Sequence, residues 1–234
     1  DDASAMFWNP AGLSYTNGNE LSLTYLQWIF DTQQGAVSFA HSFEDYGVIG
    51  LQLQYVDYGS IDEAIWSAPY NTDLNTPGLT GRTFRPYSYV VGVSYATHIT
   101  DKFSTGLTVK YAHESLYNGN EVVVTQYSPD TTTVKVKTWG NTLLFDYGIH
   151  YKTGYKSIEI GASVQNFGPN IKYAEEDHPA PLALRVGIAA DLMGPDALLL
   201  QSDNSRIGVE FDLFQPNDYT QQYYIGAEYE FAQM

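Results

Sequence analysis

Apolar and polar residues alternate with a period of two along most of the chain, and a helical period is almost absent. The alternation predicts ten β-strands, near residues 20–29, 35–43, 47–57, 87–97, 103–115, 143–152, 157–167, 182–191, 206–214 and 222–231. Most of these segments are about as long as a membrane-spanning strand needs to be, roughly 9–11 residues. No segment has the composition of an interdomain linker, so we predict one all-β domain.

The predicted connections alternate in length down the middle of the chain. Short connections at residues 44–46, 98–102 and 153–156 alternate with long ones at 58–86, 116–142 and 168–181. Up-and-down outer-membrane barrels have this arrangement, with tight periplasmic turns and long outer loops. The alternation fails near the end, because 192–205 is longer and 215–221 shorter than it requires.

One face of the predicted strands is apolar and carries no charge. Its members are Tyr87, Tyr89, Val91, Val93, Tyr95, Phe103, Leu107, Val109, Tyr111, Leu143, Phe145, Tyr147, Ile149, Tyr151, Ile158, Ile160, Leu184, Val186, Ile188, Ile207, Val209, Phe211, Tyr223, Ile225, Tyr229 and Phe231, together with small residues. Aromatic residues lie near both ends of several strands, as in the interfacial girdles of membrane barrels.

The other face combines glycine with ionisable residues. The glycines are Gly50, Gly92, Gly106, Gly148, Gly161, Gly187, Gly208 and Gly226, and the ionisable residues include Lys110, Glu114, Asp146, His150, Arg185, Glu210, Asp212 and Glu228. Glycine inside a strand often marks a bend or the close approach of another segment. The row of glycines therefore predicts a strongly curved sheet whose concave face, the lumen, meets something bulky.

A soluble sandwich or lipocalin-like barrel would also show one apolar and one polar face, with the apolar face inside. Three features favour the membrane barrel: aromatic strand ends, a glycine-rich polar face, and a charged fraction of 16%, against about 25% in ordinary soluble domains. The net charge of −16 argues against nucleic acid as a partner. The chain has no cysteine, and we predict neither a cofactor nor a metal site.

The first residues, DDASAMFWNPAGL, do not alternate and are interrupted by proline and glycine. We interpret residues 1–19 as a compact plug. Its apolar side would be Met6, Phe7, Trp8 and Leu13, lying against the glycine row, and its turn would be formed by Asn9, Pro10 and Gly12.

This opening stretch resembles the N-terminal motif of the PorV/PorQ family of outer-membrane proteins, relatives of the FadL long-chain fatty acid transporters. Further segments resemble the same family in the same order: YVVGVSYATHITDKFSTGLTVKYAHESL, IEIGASVQNFGPNIKY, PLALRVGIAADL, IGVEFDLFQPND and YYIGAEYEF. The resemblance covers nearly the whole chain, and its most specific part is NFGPNIKY followed by LRVGIAADL.

The resemblance implies an antiparallel, up-and-down transmembrane β-barrel of fourteen strands in the bacterial outer membrane, with the N-terminal segment folded into the lumen. Residues 1–19 would be the plug, and residues 20–234 would be a barrel that is incomplete at its C-terminus. On this interpretation the chain lacks the signal peptide, the start of the plug and the last strands, so its ten strands would not close.

Two functions follow from the resemblance. In the first, the protein is a component of a type IX secretion system and binds the secretion channel and exported cargo through outer-loop residues, for which Trp66, Tyr70, Phe84, Tyr117 and Tyr127 are candidates. In the second, it is a FadL-like passive transporter of small hydrophobic molecules, which would bind in the lumen. In both, outer-membrane lipid surrounds the barrel.

The residues predict no enzyme. Glu210 and Asp212 are neighbours on one strand face, but a lumen lined with mixed charge explains them. Arg185 and Lys110 are most simply charge partners within the lumen. The alternative for Arg185 is binding of a fatty-acid carboxylate, because guanidinium suits bidentate carboxylate contacts.

Overall fold

A computed structural model of the chain describes residues 2–65, 77–117, 121–127, 131–173 and 176–231. Two short 3-10 helices, Ala3–Phe7 and Pro10–Tyr15, precede the strands, and two more occupy Ile29–Asp31 and Glu44–Tyr46. The strands are β1 (Asn19–Gln27), β2 (Gln33–Ser42), β3 (Val48–Asp57), β4 (Ile61–Ile65), β5 (Gly78–Phe84), β6 (Tyr87–Thr100), β7 (Phe103–Ser115), β8 (Glu121–Tyr127), β9 (Thr131–Lys137), β10 (Trp139–Lys152), β11 (Glu159–Phe167), β12 (Ile171–Tyr173), β13 (Glu176–His178), β14 (Ala183–Gly194), β15 (Leu200–Gln201), β16 (Ser205–Pro216) and β17 (Gln222–Phe231). None of the helices described is long and apolar enough to cross a membrane.

Ten of these strands form one antiparallel sheet in the order β1-β2-β3-β6-β7-β10-β11-β14-β16-β17. They are the ten strands that the alternation predicts, with ends that agree to within about four residues. Each pairs with the previous long strand along the chain, so the predicted all-β, up-and-down architecture is confirmed. β15 adds a short parallel pairing to the end of β14.

The sheet is open. In the described part of the chain, β1 pairs only with β2 and β17 pairs only with β16. These ten strands therefore do not close into a barrel by themselves, and an open strand edge leaves backbone groups unpaired.

Three two-stranded hairpins stand on one rim of the sheet. They are β4–β5, β8–β9 and β12–β13, and they lie in the connections that the sequence analysis treated as plain loops. The strands of these hairpins have three to seven residues and pair only with one another, so no long alternation marks them. Because the main strands run up and down, all three hairpins lie opposite the turns at residues 43–47, 101–102 and 153–158.

The apolar face predicted from the sequence is exposed. Val91 is 46% exposed and Ile188 45%, and Leu51, Val93, Leu143 and Tyr147 are similarly open. Neither of the two buried apolar clusters contains these residues. The apolar face is therefore not the core of a sandwich.

The opposite face, which we call the inner face, curves around residues 2–17. The helix Ala3–Phe7 contacts β1 and β2, and the carbonyl of its last residue accepts a hydrogen bond from Gln165 of β11. Five residues of 3-10 helix are about 10 Å long, whereas β1 and β11 are six strand spacings apart, about 29 Å along the sheet. Only a sheet wrapped around the segment can make both contacts.

Candidate functional site

The N-terminal segment, residues 2–17, is built from two capped 3-10 helices. The Asp2 carboxylate accepts from the Ser4 amide at 2.7 Å, and the Asn9 side chain accepts from the Ala11 amide at 3.0 Å. Asp and Asn are preferred N-caps, and Pro10 begins the second helix, where its missing N–H costs nothing. The motif Asn-Pro therefore ends one helix and starts the next.

An apolar anchor holds the segment to β2, β3 and β6. Met6 and Leu13 are fully buried and pack with Ala40, Val48 and Ala96 of the sheet. At Gly50, a Cβ atom would lie 2.6 Å from the Met6 methyl group and 3.0 Å from Leu13. The glycine thus makes room for two apolar side chains of the segment.

Asn9 and Pro10 fill the middle of the glycine row. A Cβ at Gly106 would lie 2.4 Å from the Pro10 carbonyl carbon, and one at Gly148 would overlap the Asn9 amide oxygen. At Gly161 the only neighbour within 4 Å would be the Asn9 Nδ2 atom, at 3.5 Å. The segment's backbone therefore approaches β7, and the Asn9 side chain approaches β10, more closely than any residue but glycine allows.

Phe7 and Trp8 lie elsewhere than expected. Phe7 packs against the apolar anchor, and Trp8 is 59% exposed. Of the four apolar side chains expected against the glycine row, Met6 and Leu13 lie at Gly50, whereas the nearest atoms at Gly106, Gly148 and Gly161 belong to Asn9, Pro10 and Ala11 and not to Phe7 or Trp8. Trp8 instead borders two cavities, of about 360 and 230 Å³.

Side chains of the sheet bind the segment's carbonyl groups. Gln165 donates to the Phe7 carbonyl at 2.8 Å, Ser163 donates to the Trp8 carbonyl at 3.0 Å, and His98 donates to the Ser14 carbonyl at 2.9 Å. In the other direction, Asn9 donates to the Ile149 carbonyl at 3.0 Å. Gln165, Ser163 and His98 carry no local sequence signal for this role, because each binds a residue more than 80 positions away.

Tyr15, the last residue of the second helix, is linked by hydrogen bonds to His150 and through it to Glu159. The Tyr15 hydroxyl lies 2.7 Å from His150 Nδ1, and His150 Nε2 lies 3.0 Å from Glu159 Oε2. A carboxylate can only accept, so Nε2 donates to Glu159, and in neutral imidazole Nδ1 then accepts from Tyr15. Lys152 lies over the Tyr15 ring at 4.5 Å. His150 thus has a positioning role toward the segment.

A buried ion pair lies on the inner face beyond the segment. Lys110 of β7 and Asp146 of β10 are 2.7 Å apart and almost fully buried. Asn166 completes the network. Its side-chain oxygen accepts a hydrogen bond from Lys110 at 2.5 Å, and its backbone N–H donates to the Asp146 carboxylate at 2.7 Å. Its φ of 58° lies at a register shift between β10 and β11. Asn166, the asparagine of NFGP, therefore lies where the regular pairing of β10 and β11 is interrupted before Phe145 pairs with Phe167. Lys110, predicted as a charge partner, pairs with Asp146.

A second cover lies over the inner face toward the hairpin rim. It consists of the described residues of the connection from β11 to β14, 168–173 and 176–182. Ile171 and Tyr173 pack where a Cβ on Gly140 would stand, and Ala180 is buried with Ala112 and Leu144. The Tyr173 hydroxyl donates to Glu114. Burial and this hydrogen bond raise the pKa of Tyr173 well above its usual range.

The inner face of β14, β16 and β17 is less covered. Asp212 and Glu210 lie over Gly187 and Gly226, and Arg206 borders Gly208. Arg206 pairs with Asp191 at 2.8 Å and with Glu228 at 3.4 Å, beside a cavity of about 420 Å³. In the part of the chain that the structure describes, no cluster of three His, Cys, Asp or Glu side chains could hold a metal ion.

On the hairpin rim, the Phe84 and Tyr117 rings are 5.0 Å apart, and the Tyr117 hydroxyl donates to Glu63. The pKa of Glu63 lies below its usual value because Thr80 and Tyr117 donate to its carboxylate and Arg82 lies beside it. Trp66 and Tyr70 lie outside the described residues, and Tyr127 ends β8 with its side chain outside the description.

Comparison with protein-family models and with curated proteins finds no match for this chain.

Proposed function

We propose that this chain forms the greater part of an outer-membrane β-barrel of the PorV/PorQ type. On this proposal it is a non-enzymatic protein-interaction component of a type IX-like secretion system. The residues of the inner face would line the lumen, the N-terminal segment would close it, and the hairpin rim would face outward and contact the secretion channel and exported cargo.

The observation that carries this proposal is that the sheet exposes its apolar face and covers its polar face, the reverse of a soluble protein. The uncharged apolar face is open over ten strands, while polar, charged and glycine positions meet the N-terminal segment. Exposed apolar patches on soluble monomers rarely exceed a few hundred Å². A hydrocarbon environment accepts the apolar face, and the inner face then holds the groups that lipid rejects.

Two features support an interaction role over transport. The inner face carries two covers, the N-terminal segment and the connection from β11 to β14, which obstruct passage. The hairpins β4–β5, β8–β9 and β12–β13 concentrate extra structure on a single rim, and long loops on a rigid scaffold commonly carry binding functions.

Photocrosslinking tests the interaction role. A photoreactive residue would replace Leu79 on the hairpin rim or Tyr155 on the turn rim, which are 66% and 68% exposed. We expect crosslinks in intact cells to an outer-membrane channel or to exported proteins from position 79 and not from position 155. Crosslinks from neither position to a channel or exported protein, or equal crosslinks from both, would refute the assignment.

The FadL-like alternative, transport of small hydrophobic molecules, is favoured by one observation: the cavities of about 360 and 230 Å³ on either side of Trp8. Uptake of a hydrophobic solute into liposomes containing the protein distinguishes the two functions. Transport predicts that uptake rises when Leu13→Ala loosens the segment, whereas the interaction role predicts no solute uptake by the native chain.

A further inference from the structure

Arg185 differs from the other arginines of the chain. Arg82, Arg85 and Arg206 each pair with a carboxylate, at 2.7, 2.7 and 2.8 Å. Among the described residues, Arg185 forms no ion pair, although 27 acidic residues occur in the sequence. Its Nε atom donates to the Gln165 side chain at 3.3 Å. An arginine held without a carboxylate partner is prepared for an anion that comes from outside the chain.

Two aromatic rings fix the orientation of this guanidinium group. Its central carbon lies 4.1 Å from the centre of the Phe214 ring and 5.3 Å from the centre of the Trp8 ring. Arginine stacks on aromatic faces while its N–H donors, which point outward in the plane of the guanidinium group, stay available for a ligand. The arrangement restricts the side chain before a ligand arrives, which lowers the entropy lost on binding.

A cavity of about 230 Å³ lies beside Arg185. Its wall includes Trp8, Asn9, Ala162, Ser163 and Asp212. Gly161 and Gly187 also line it, and the Asp212 carboxylate lies over Gly187. Ligand pockets for drug-sized molecules usually begin at about 300 Å³, so this cavity suits a smaller ligand.

We propose that this cavity binds a small aromatic carboxylate. The carboxylate takes the N–H donors of Arg185 in the bidentate geometry that guanidinium favours, and the ring packs against the edge of the Trp8 indole, which lines the same cavity. Asp212 also lines the cavity, and its negative charge repels the ligand carboxylate, so replacing it with a neutral residue strengthens binding. The site lies between the N-terminal segment and β14. The proposal does not depend on a role of the protein in secretion.

The test uses the full chain in detergent micelles, with Trp28, Trp66 and Trp139 replaced by Phe so that Trp8 alone fluoresces. Sodium benzoate is the probe, benzamide is its neutral analogue, and hexanoate is its non-aromatic analogue. We expect saturable quenching by benzoate, with benzamide and hexanoate binding at least tenfold more weakly. Arg185→Gln weakens benzoate binding at least tenfold, and Asp212→Asn strengthens it severalfold.

Arg206→Gln is the matched control, because Arg206 also lies on the inner face but is already paired with carboxylates. It leaves benzoate affinity unchanged. The Asp212→Asn result keeps the test decisive if Arg185→Gln fails to fold, since it predicts a gain of affinity. Absence of saturation, equal binding of benzamide or hexanoate, unchanged binding in Arg185→Gln, or no gain in Asp212→Asn would each overturn the proposal.

Discussion

The two halves of the sheet share one alternation of residues but differ in what lies on the inner face. From β2 to β10, where the N-terminal segment and the second cover lie, most inner positions are buried, and they include Ser38, Ser94, Ser104 and Thr108. From β14 to β17 most of the same positions are half-buried or exposed, and several of them carry carboxylates, among them Glu210, Asp212 and Glu228. The type of side chain on the inner face therefore depends on whether another segment covers it: small hydroxyl residues lie where it is covered, and carboxylates lie where it is open.

The difference shows how a polar face is made compatible with burial. Small hydroxyls and glycine occupy little space. Ser94 and Thr108 hydrogen-bond to each other at 2.8 Å, whereas the buried Ser38 and Ser104 hydroxyls have no partner among the described residues. A buried charge needs an opposite charge and further hydrogen bonds, and under the covers Lys110 and Asp146 meet that condition with Asn166. Where water reaches the face, carboxylates need no such arrangement.

The largest effect is expected from breaking the buried ion pair. Lys110→Met leaves Asp146, whose side chain is 1% exposed, without its counter-charge, and such a loss costs about 3–5 kcal/mol. We expect the denaturant midpoint of the reconstituted protein to fall accordingly. Arg82→Met is the control, because Arg82 is 69% exposed and solvent screens its pair with Glu63. Equal shifts in the two variants would contradict the buried role.

Next in size is the loss of an apolar anchor. Leu13→Ala removes a fully buried side chain, and such substitutions cost about 2–5 kcal/mol. We expect faster hydrogen exchange at the hydrogen-bonded amides of Trp8, Gly12 and Thr16, while the strands stay protected. Trp8→Ala is the comparison and should cost less, because that indole is largely exposed. A greater loss of protection in Trp8→Ala would show that the indole, not Leu13, holds the segment.

A smaller effect is expected from adding a methyl group to the glycine row. Gly106→Ala places a Cβ 2.4 Å from the Pro10 backbone, and overpacking typically costs about 1–3 kcal/mol. Limited proteolysis should cut residues 2–17 faster in this variant. Gly161→Ala is the matched control, since its Cβ meets only Asn9 Nδ2 at 3.5 Å. If both variants resist proteolysis like the native chain, the close approach at Gly106 is not maintained in solution.

The smallest effect concerns the hairpin rim and depends on pH. The folded pKa of Glu63 lies below its unfolded value of 4.5, so its contribution is present above that value and is lost as pH falls through the folded pKa. We expect exchange in β4–β5 to accelerate on acidification through this window, and Glu63→Gln to remove that step. Persistence of the full step in Glu63→Gln would assign it to another group.

The strands and their facing could be predicted because alternation is a local signal. Alternation divides each strand into two faces, and a one-residue shift would exchange them. The choice of the apolar face as the exposed one rests on the aromatic strand ends, the glycine-rich polar face and the low charged fraction. The glycine row was equally readable, since a missing side chain in a strand implies a close neighbour. Asn9 and Pro10, in place of Phe7 and Trp8, meet the middle of the row because of the bend between two short helices.

The rest of the site escaped prediction because its partners are distant in sequence. His150 was placed on the correct face, but its bond to Tyr15 spans 135 residues. In the sequence, Asn166 stands out only as part of the motif NFGPNIKY. Its positive φ and its hydrogen bonds to Asp146 and Pro181 follow from the register shift, which has no local sequence signal. The hairpins were missed because strands of three to seven residues without a packed face have no clear period.

The contacts of the N-terminal segment also set an order of events in folding. The bonds from Trp8 to Ser163 and from Phe7 to Gln165 join residues 155 and 158 positions apart, and contacts of such high order form late because loop closure must precede them. The main strands pair with sequential neighbours and can assemble one hairpin at a time. The N-terminal segment, which precedes every described strand, is therefore expected to dock on the inner face late in folding. Until it docks, Met6 and Leu13 are exposed and can promote aggregation.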